Sequence, residues 1–193
     1  NSRAESIRNG VQQLWRGHIW AYVSEERGRR IRMEEGMKRD RCQSMVIRED
    51  RILLVEHVLF GRDFYTLPGG GIEEGETPEQ AALRELSEEC NVSGKIVRPL
   101  TVEYKPDLES RVYTFQVEIP EEERPLKGID PELPEDEQSI VGVAWLRLDE
   151  ISERDRAYLF GAGLMRIPFF HDEVLEWDGG DISYPKKNAS IIS

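Results

Sequence analysis

Cysteine is scarce in this sequence: two in 193 residues, Cys42 and Cys90, separated by 48 positions. They have neither zinc-ligand spacing nor a disulfide framework, so a stapled scaffold is excluded and a cytoplasmic, reducing setting is expected. No run of about 18 apolar residues occurs, so no membrane span is expected. The first residues also lack the charged-then-apolar order of a secretory signal. The three histidines, His18, His57 and His171, are scattered without ligand spacing and read as structural or exposed. Positive charge is in deficit, with 26 Lys and Arg against 38 Asp and Glu and a net charge of −12. General nucleic-acid binding needs a basic footprint and is therefore not expected. A phosphorylated small molecule remains open, because a divalent cation bridges acidic protein to acidic ligand. There is no nucleophile elbow, P-loop or dinucleotide fingerprint.

What is present suits one globular domain: 38% hydrophobic and 33% charged residues. The charge is uneven. Residues 1–32 hold seven arginines against Glu5, Glu25 and Glu26, a local +4 that leaves −16 for the rest. Val11, Leu14, Trp15, Ile19 and Tyr22 recur at helical spacing, which predicts an amphipathic helix over residues 10–24. Its apolar face would pack on the body or on a second copy, which makes a homodimer a natural expectation. Residues 1–40 are thus read as an N-terminal helix and connector, and residues 41–193 as the main domain.

Strands are expected over residues 43–48, 51–59, 95–104, 111–119 and 139–148, with Phe64–Leu67 leading into Pro68-Gly69-Gly70-Gly71. Residues 120–138 carry eight acids against two basic residues and several prolines, the composition of a long surface loop. A short helix is expected over residues 149–160 and a hairpin over 174–184. The result is a mixed sheet with helices on both sides.

The chemistry concentrates in residues 67–90. Thr77, Pro78 and Gln80 make a capping box with proline at the first helical position, and Asn91 suits the left-handed residue that ends a helix. At about 100° per residue, Ala82, Leu83, Leu86 and Cys90 form a buried stripe, with Cys90 read as core. Glu85 and Glu89 lie one turn apart beside that stripe, Glu88 further round, and Arg84 reaches Glu88 at i, i+4. Three acids in a last turn oppose one another and the helix dipole. A divalent cation offsets that conflict, and Mg²⁺ takes one or two carboxylates together with water and phosphate oxygens. Gly69, Gly70 and Gly71 allow a ligand or metal close approach to the main chain.

Gly70, Glu76, Arg84-Glu85-Leu86, Glu88-Glu89 and Asn91-Val92, in this spacing over 23 residues, resemble the Nudix box of the Nudix hydrolases. The one departure is Asn91 where the family has glycine, and asparagine also tolerates left-handed geometry. The resemblance implies a Nudix-like α/β/α sandwich and hydrolysis of a phosphoanhydride in a nucleoside diphosphate linked to another group. It implies Mg²⁺ or Mn²⁺ held by Glu85, Glu88, Glu89 and the Gly70 carbonyl. Catalytic roles fall to Arg84, Glu85 and Glu88, with Glu76 and Arg84 orienting the acids, and substrate contacts to Gly69, Gly70 and Gly71.

A general base is expected from outside the box: Glu137, ahead of its neighbours Glu135 and Asp136 and of Glu103. Phe60, Phe64 and Tyr65 precede the glycines; packing is the first expectation for them, and stacking of one, Tyr65, on a substrate base is the alternative. Pro106 downstream of the box inclines the substrate reading toward ADP-ribose-like compounds, beside nucleotide sugars and nucleoside triphosphates. The alternative is a catalytically silent nucleotide-sensing module, against which all three box glutamates stand.

Overall fold

The structure, a computed structural model, describes residues 39–59, 62–106, 109–129 and 139–175. Seven strands and three α-helices appear among them: β1 Arg41–Arg48, β2 Arg51–Leu59, β3 Arg62–Thr66, β4 Gly69–Gly71, β5 Lys95–Lys105, β6 Ser110–Glu118 and β7 Ile140–Arg147. The helices are α1 Pro78–Cys90, α2 Glu153–Gly161 and α3 Pro168–Leu175.

β1 is the hub. Its first half lies antiparallel to β4 and parallel to β6, which in turn pairs antiparallel with β5. Its last residues form a hairpin with β2 through Glu49, which takes a left-handed φ of 56°. β2 then carries β3 and β7 on either side, both antiparallel.

Adjacent strand residues point to opposite faces, so β1 and β2 feed two cores. Cys42 and Val46 of β1 and Leu53 and Val55 of β2 pack with Ala82, Leu86 and Cys90 of α1. Met45, Ile52 and Leu54 pack with Leu159, Leu164 and Phe170 on the other side. This explains why residues 42–46 and 52–55 are buried without alternation: each face has its own helical cover. The mixed sheet covered on both sides agrees with the α/β/α expectation.

Several elements depart from the sequence reading in detail. β1 begins at Arg41 because Arg41 pairs with both Gly71 and Val112. The triple glycine is a short strand, since β1 supplies a hydrogen-bonding edge that its composition alone does not reveal. The expected helix over 149–160 is split: a 3-10 turn at Leu148–Glu150, then α2 capped by Ser152, whose Oγ accepts from the Asp155 N–H. Val174 and Leu175 do not open a hairpin but close α3, whose Phe170 is anchored in the second core. The amphipathic helix over 10–24 and residues 176–184 lie outside the described residues.

Candidate active site

α1 is fixed at both ends. The Thr77 hydroxyl accepts from the Gln80 N–H at 3.2 Å, and Gln80 Oε1 accepts from the Thr77 N–H at 2.9 Å. Asn91 closes the helix at φ 54°, ψ 41°, its N–H donating to the Ser87 carbonyl. A helix leaves its last carbonyls unpaired. Here the Ile129, Gly128 and Leu126 N–H groups donate to the carbonyls of Glu88, Glu89 and Cys90 at 3.2, 2.8 and 2.9 Å. The first part of the acidic loop is therefore a strap along the last turn of α1. Gly128 permits it: a Cβ there would stand 1.7 Å from the Glu88 carbonyl oxygen.

The acids follow from this placement. Glu85 and Glu89 are only 4% and 6% exposed, although both carry carboxylates. Buried carboxylates need partners. Glu89 Oε2 accepts from the Gly69 N–H at 2.9 Å. The Glu85 carboxylate fills the space beside Gly70, where an added Cβ would lie 2.2 Å from Oε1. Arg84 ties the array together: its Nη1 donates to Glu85 Oε1 and Glu88 Oε2, both at 2.9 Å. Its Nη2 donates to the Gly71 carbonyl at 2.9 Å and its Nε to Glu76 Oε1 at 3.0 Å.

Burial opposes charge on Arg84, but hydrogen bonds to Glu76 and the field of Glu85 outweigh it and hold the guanidinium more firmly protonated. The same hydrogen bond from Arg84 lowers the Glu76 pKa.

These donors fit a hard cation. The buried oxygens of Glu85 and Glu89 lie beside a bare glycine strand, and Mg²⁺ needs only one or two carboxylates. Among the described residues no three His, Cys, Asp or Glu side chains form a ready-made cluster. Glu88 is instead held by Arg84.

The structure thus gathers Gly69, Gly70, Gly71, Glu76, Arg84, Glu85, Glu88 and Glu89 around one strand–helix junction. Tyr65 is elsewhere. It packs against the second core and gives its N–H to Asp155 Oδ2 at 2.9 Å. Burial, with nearby Glu56, pushes its phenol up to about 12. Phe64 stacks on His57 at 4.9 Å. Glu103 is exposed on β5 beside Lys105. Glu135, Asp136, Glu137, Phe60 and His18 lie outside the described residues. Cys42 and Cys90 are free and buried in the first core, where burial pushes the Cys42 thiol up to about 12.

Sequence reasoning missed a buried polar chain behind the glycines. The Tyr158 hydroxyl donates to Gln43 Oε1 at 2.7 Å, and Gln43 Nε2 donates to Thr114 Oγ1 at 2.7 Å. Gln43 and Tyr158 are 115 positions apart, so no local pattern announces the contact.

Among known families, the NUDIX domain matches residues 38–166. The chain belongs to the Nudix family. The Nudix match contains every element that builds the acidic junction. Nudix hydrolases generally use divalent metals. Mouse diphosphoinositol polyphosphate phosphohydrolase 3-alpha is 43% identical over 75 residues, covering 38% of this chain and 45% of that protein. The chain therefore spans less than half the length of that curated relative. A Nudix hydrolase from Nitrosomonas europaea shares the fold at TM-score 0.51 and 24% identity, covering 61% of this chain and 62% of that one. A C. elegans Ap4A hydrolase complex does so at TM-score 0.51 and 16% identity, covering 72% of this chain and 100% of that one. No helix among the described residues is long and apolar enough to cross a membrane.

Proposed function

We propose that this Nudix protein is a divalent-cation-dependent pyrophosphohydrolase that cuts a phosphoanhydride in a nucleoside diphosphate linked to another group. The observation that carries the reading is the pair of buried acids, Glu85 and Glu89, against a side-chain-free strand, with Glu89 aligned by the Gly69 N–H. Arg84 keeps Glu85 and Glu88 in register while Glu76 holds Arg84 from the other side. The lack of side chains on Gly69–Gly71 lets β1, the Glu85 carboxylate and the Arg39 guanidinium close on the strand. A bound Mg²⁺ or Mn²⁺ supplies an activated water and neutralises charge on the leaving phosphate. Glu85, Glu89 and the Gly70 carbonyl are its proposed ligands, with Glu88 close by.

Glu137 is the proposed general base, on its place two residues before Ser139, whose carbonyl accepts from the Val58 N–H at 3.0 Å. ADP-ribose-like compounds, nucleotide sugars and nucleoside triphosphates remain the nucleotide candidates. The mouse relative is named for diphosphoinositol polyphosphates and the nematode neighbour for Ap4A, so both compounds join the substrate panel.

The test is release of phosphate and monophosphate across that panel with Mg²⁺, Mn²⁺ or chelator. Turnover is expected to vanish with chelator and return with metal, and Glu89→Gln is expected to lose most of it while staying folded. Glu137→Gln is expected to lose about 100-fold or more, the usual contribution of a general base. Near-normal turnover in Glu89→Gln would place the metal elsewhere. No turnover on any substrate, with nucleotide binding retained, would favour a sensing module.

A further inference from the structure

A helix is about 10 Å across and strands lie about 4.8 Å apart, so one helix covers roughly two strands. On its side of the sheet α1 takes β1 and β4: Ser44 Oγ donates to the Ala82 carbonyl, and Glu89 accepts from the Gly69 N–H. β6 and β5 extend the sheet beyond it. Residues directly opposite in an antiparallel pair share a face. Ile96, Pro99, Val102 and Tyr104 of β5 therefore lie on the face of their β6 partners Val117, Phe115, Tyr113 and Arg111. Val117 and Phe115 belong to the first core and Tyr113 packs on it, so this is the α1 side.

Cover runs out along β5. Ile96 packs on the first core, but Pro99 is exposed, and Val102 and Tyr104 are 57% and 55% exposed. Glu103 and Lys105, which pair with each other, alternate with them and lie on the other face. A strand with one face in water normally turns its polar side outward. Here the apolar side, next to α1, is uncovered along a strip about 17 Å long from Pro99 to Tyr104. Register shifts around Val97 and Leu100, with a proline at 99, disfavour a further strand along the β5 edge. The occupant therefore sits on the face.

The chain carries a matching surface. Val11, Leu14, Trp15, Ile19 and Tyr22 make an apolar helical stripe about 16 Å long, in a segment outside the described residues. The point where that segment joins the fold is fixed. The Arg111 N–H donates to Asp40 Oδ1 at 2.7 Å, and Arg111 is the β6 partner of Tyr104. The chain thus enters two strand spacings, about 10 Å, from the end of the strip. A coil the length of residues 25–38 reaches about 20 Å. These residues include Arg27, Arg29, Arg30 and Arg32, and the entry point is acidic. Asp40 accepts from the Ile72 N–H, and the exposed Glu73 and Glu74 follow directly.

We propose that residues 10–24 form a helix that docks on the Pro99–Val102–Tyr104 strip of the same chain and completes the layer beside α1. Backbone hydrogen exchange of the full chain tests it, and no readout depends on turnover. In wild type, residues 10–24 are expected to exchange about tenfold or more slowly than an unstructured chain. Val102→Asp with Tyr104→Asp, both at exposed positions, is expected to remove that protection while α1 and β1 exchange as in wild type. Trp15→Asp is expected to do the same from the other surface, and it carries the reading if the strand variant fails to fold. Protection absent from wild type, or unchanged in the variants, overturns the docking. Sedimentation at the same concentrations separates one chain from two. A fully protected monomer supports the proposal; protection that appears only in a dimer hands the strip to a second copy and overturns docking within the chain.

Discussion

His57 lies in β2 with Nδ1 3.0 Å from Ser139 Oγ and Nε2 3.0 Å from Thr66 Oγ1, while Phe64 stacks on its ring. It is a buried structural histidine whose two ring nitrogens both face hydroxyl groups. Burial lowers its pKa from 6.5 to about 4. The unfolded chain therefore binds a proton at higher pH than the native one. The stability that neutral His57 contributes is complete above pH 6.5 and is lost as pH falls toward 4, about 3 kcal/mol in all. Denaturant melts between pH 7 and 4 are expected to show a flatter decline in His57→Gln than in wild type. Equal slopes would mean that other groups set the acid limit. In the sequence this histidine was legible only as one without ligand spacing; its hydroxyl partners come from β3 and the approach to β7.

At the scale of elements, α1 was the most legible part of the chain. Thr77, Pro78, Gln80 and Asn91 mark its ends through local hydrogen bonds and dihedral preferences, and the structure realises each of them. The wheel also placed Glu85 and Glu89 beside the apolar stripe, where both are buried. The strap was not legible. Residues 120–138 read as solvated loop because an N–H donated to a remote carbonyl leaves no mark in side-chain composition. Gly128 gives the means to test it: its φ is not left-handed, so alanine adds no backbone strain and only the Cβ contact with the Glu88 carbonyl. Gly128→Ala is expected to destabilise the protein by about 1–3 kcal/mol and to raise the metal concentration needed for half-maximal turnover. Unchanged stability and metal dependence would show that the strap relaxes freely.

For the whole molecule, the question is how one sheet supports two independent layers. Met45 and Val46 are sequence neighbours, yet Met45 is at 0% exposure in the second core and Val46 at 1% in the first. Met45→Ala is expected to cost about 2–5 kcal/mol, and Val46→Ala about 2 kcal/mol. Because the two side chains lie in different clusters, the double variant is expected to equal their sum within about 0.5 kcal/mol. A large deviation in chemical unfolding would mean that the cores communicate through β1.

The sequence by itself determined what depends on near neighbours: the capped helix, the spacing of its acids around a buried stripe, and the hydrophobic runs that become β1 and β2. Only the tertiary structure decided what requires distant segments to meet. It paired Gly69–Gly71 with β1, seated the Glu89 carboxylate on the Gly69 N–H and put Tyr65 on the α2 layer. The physical reason is range. Helical periodicity and capping act within about four residues, whereas a sheet's partners and a buried charge's environment are fixed by chain segments that no local pattern names.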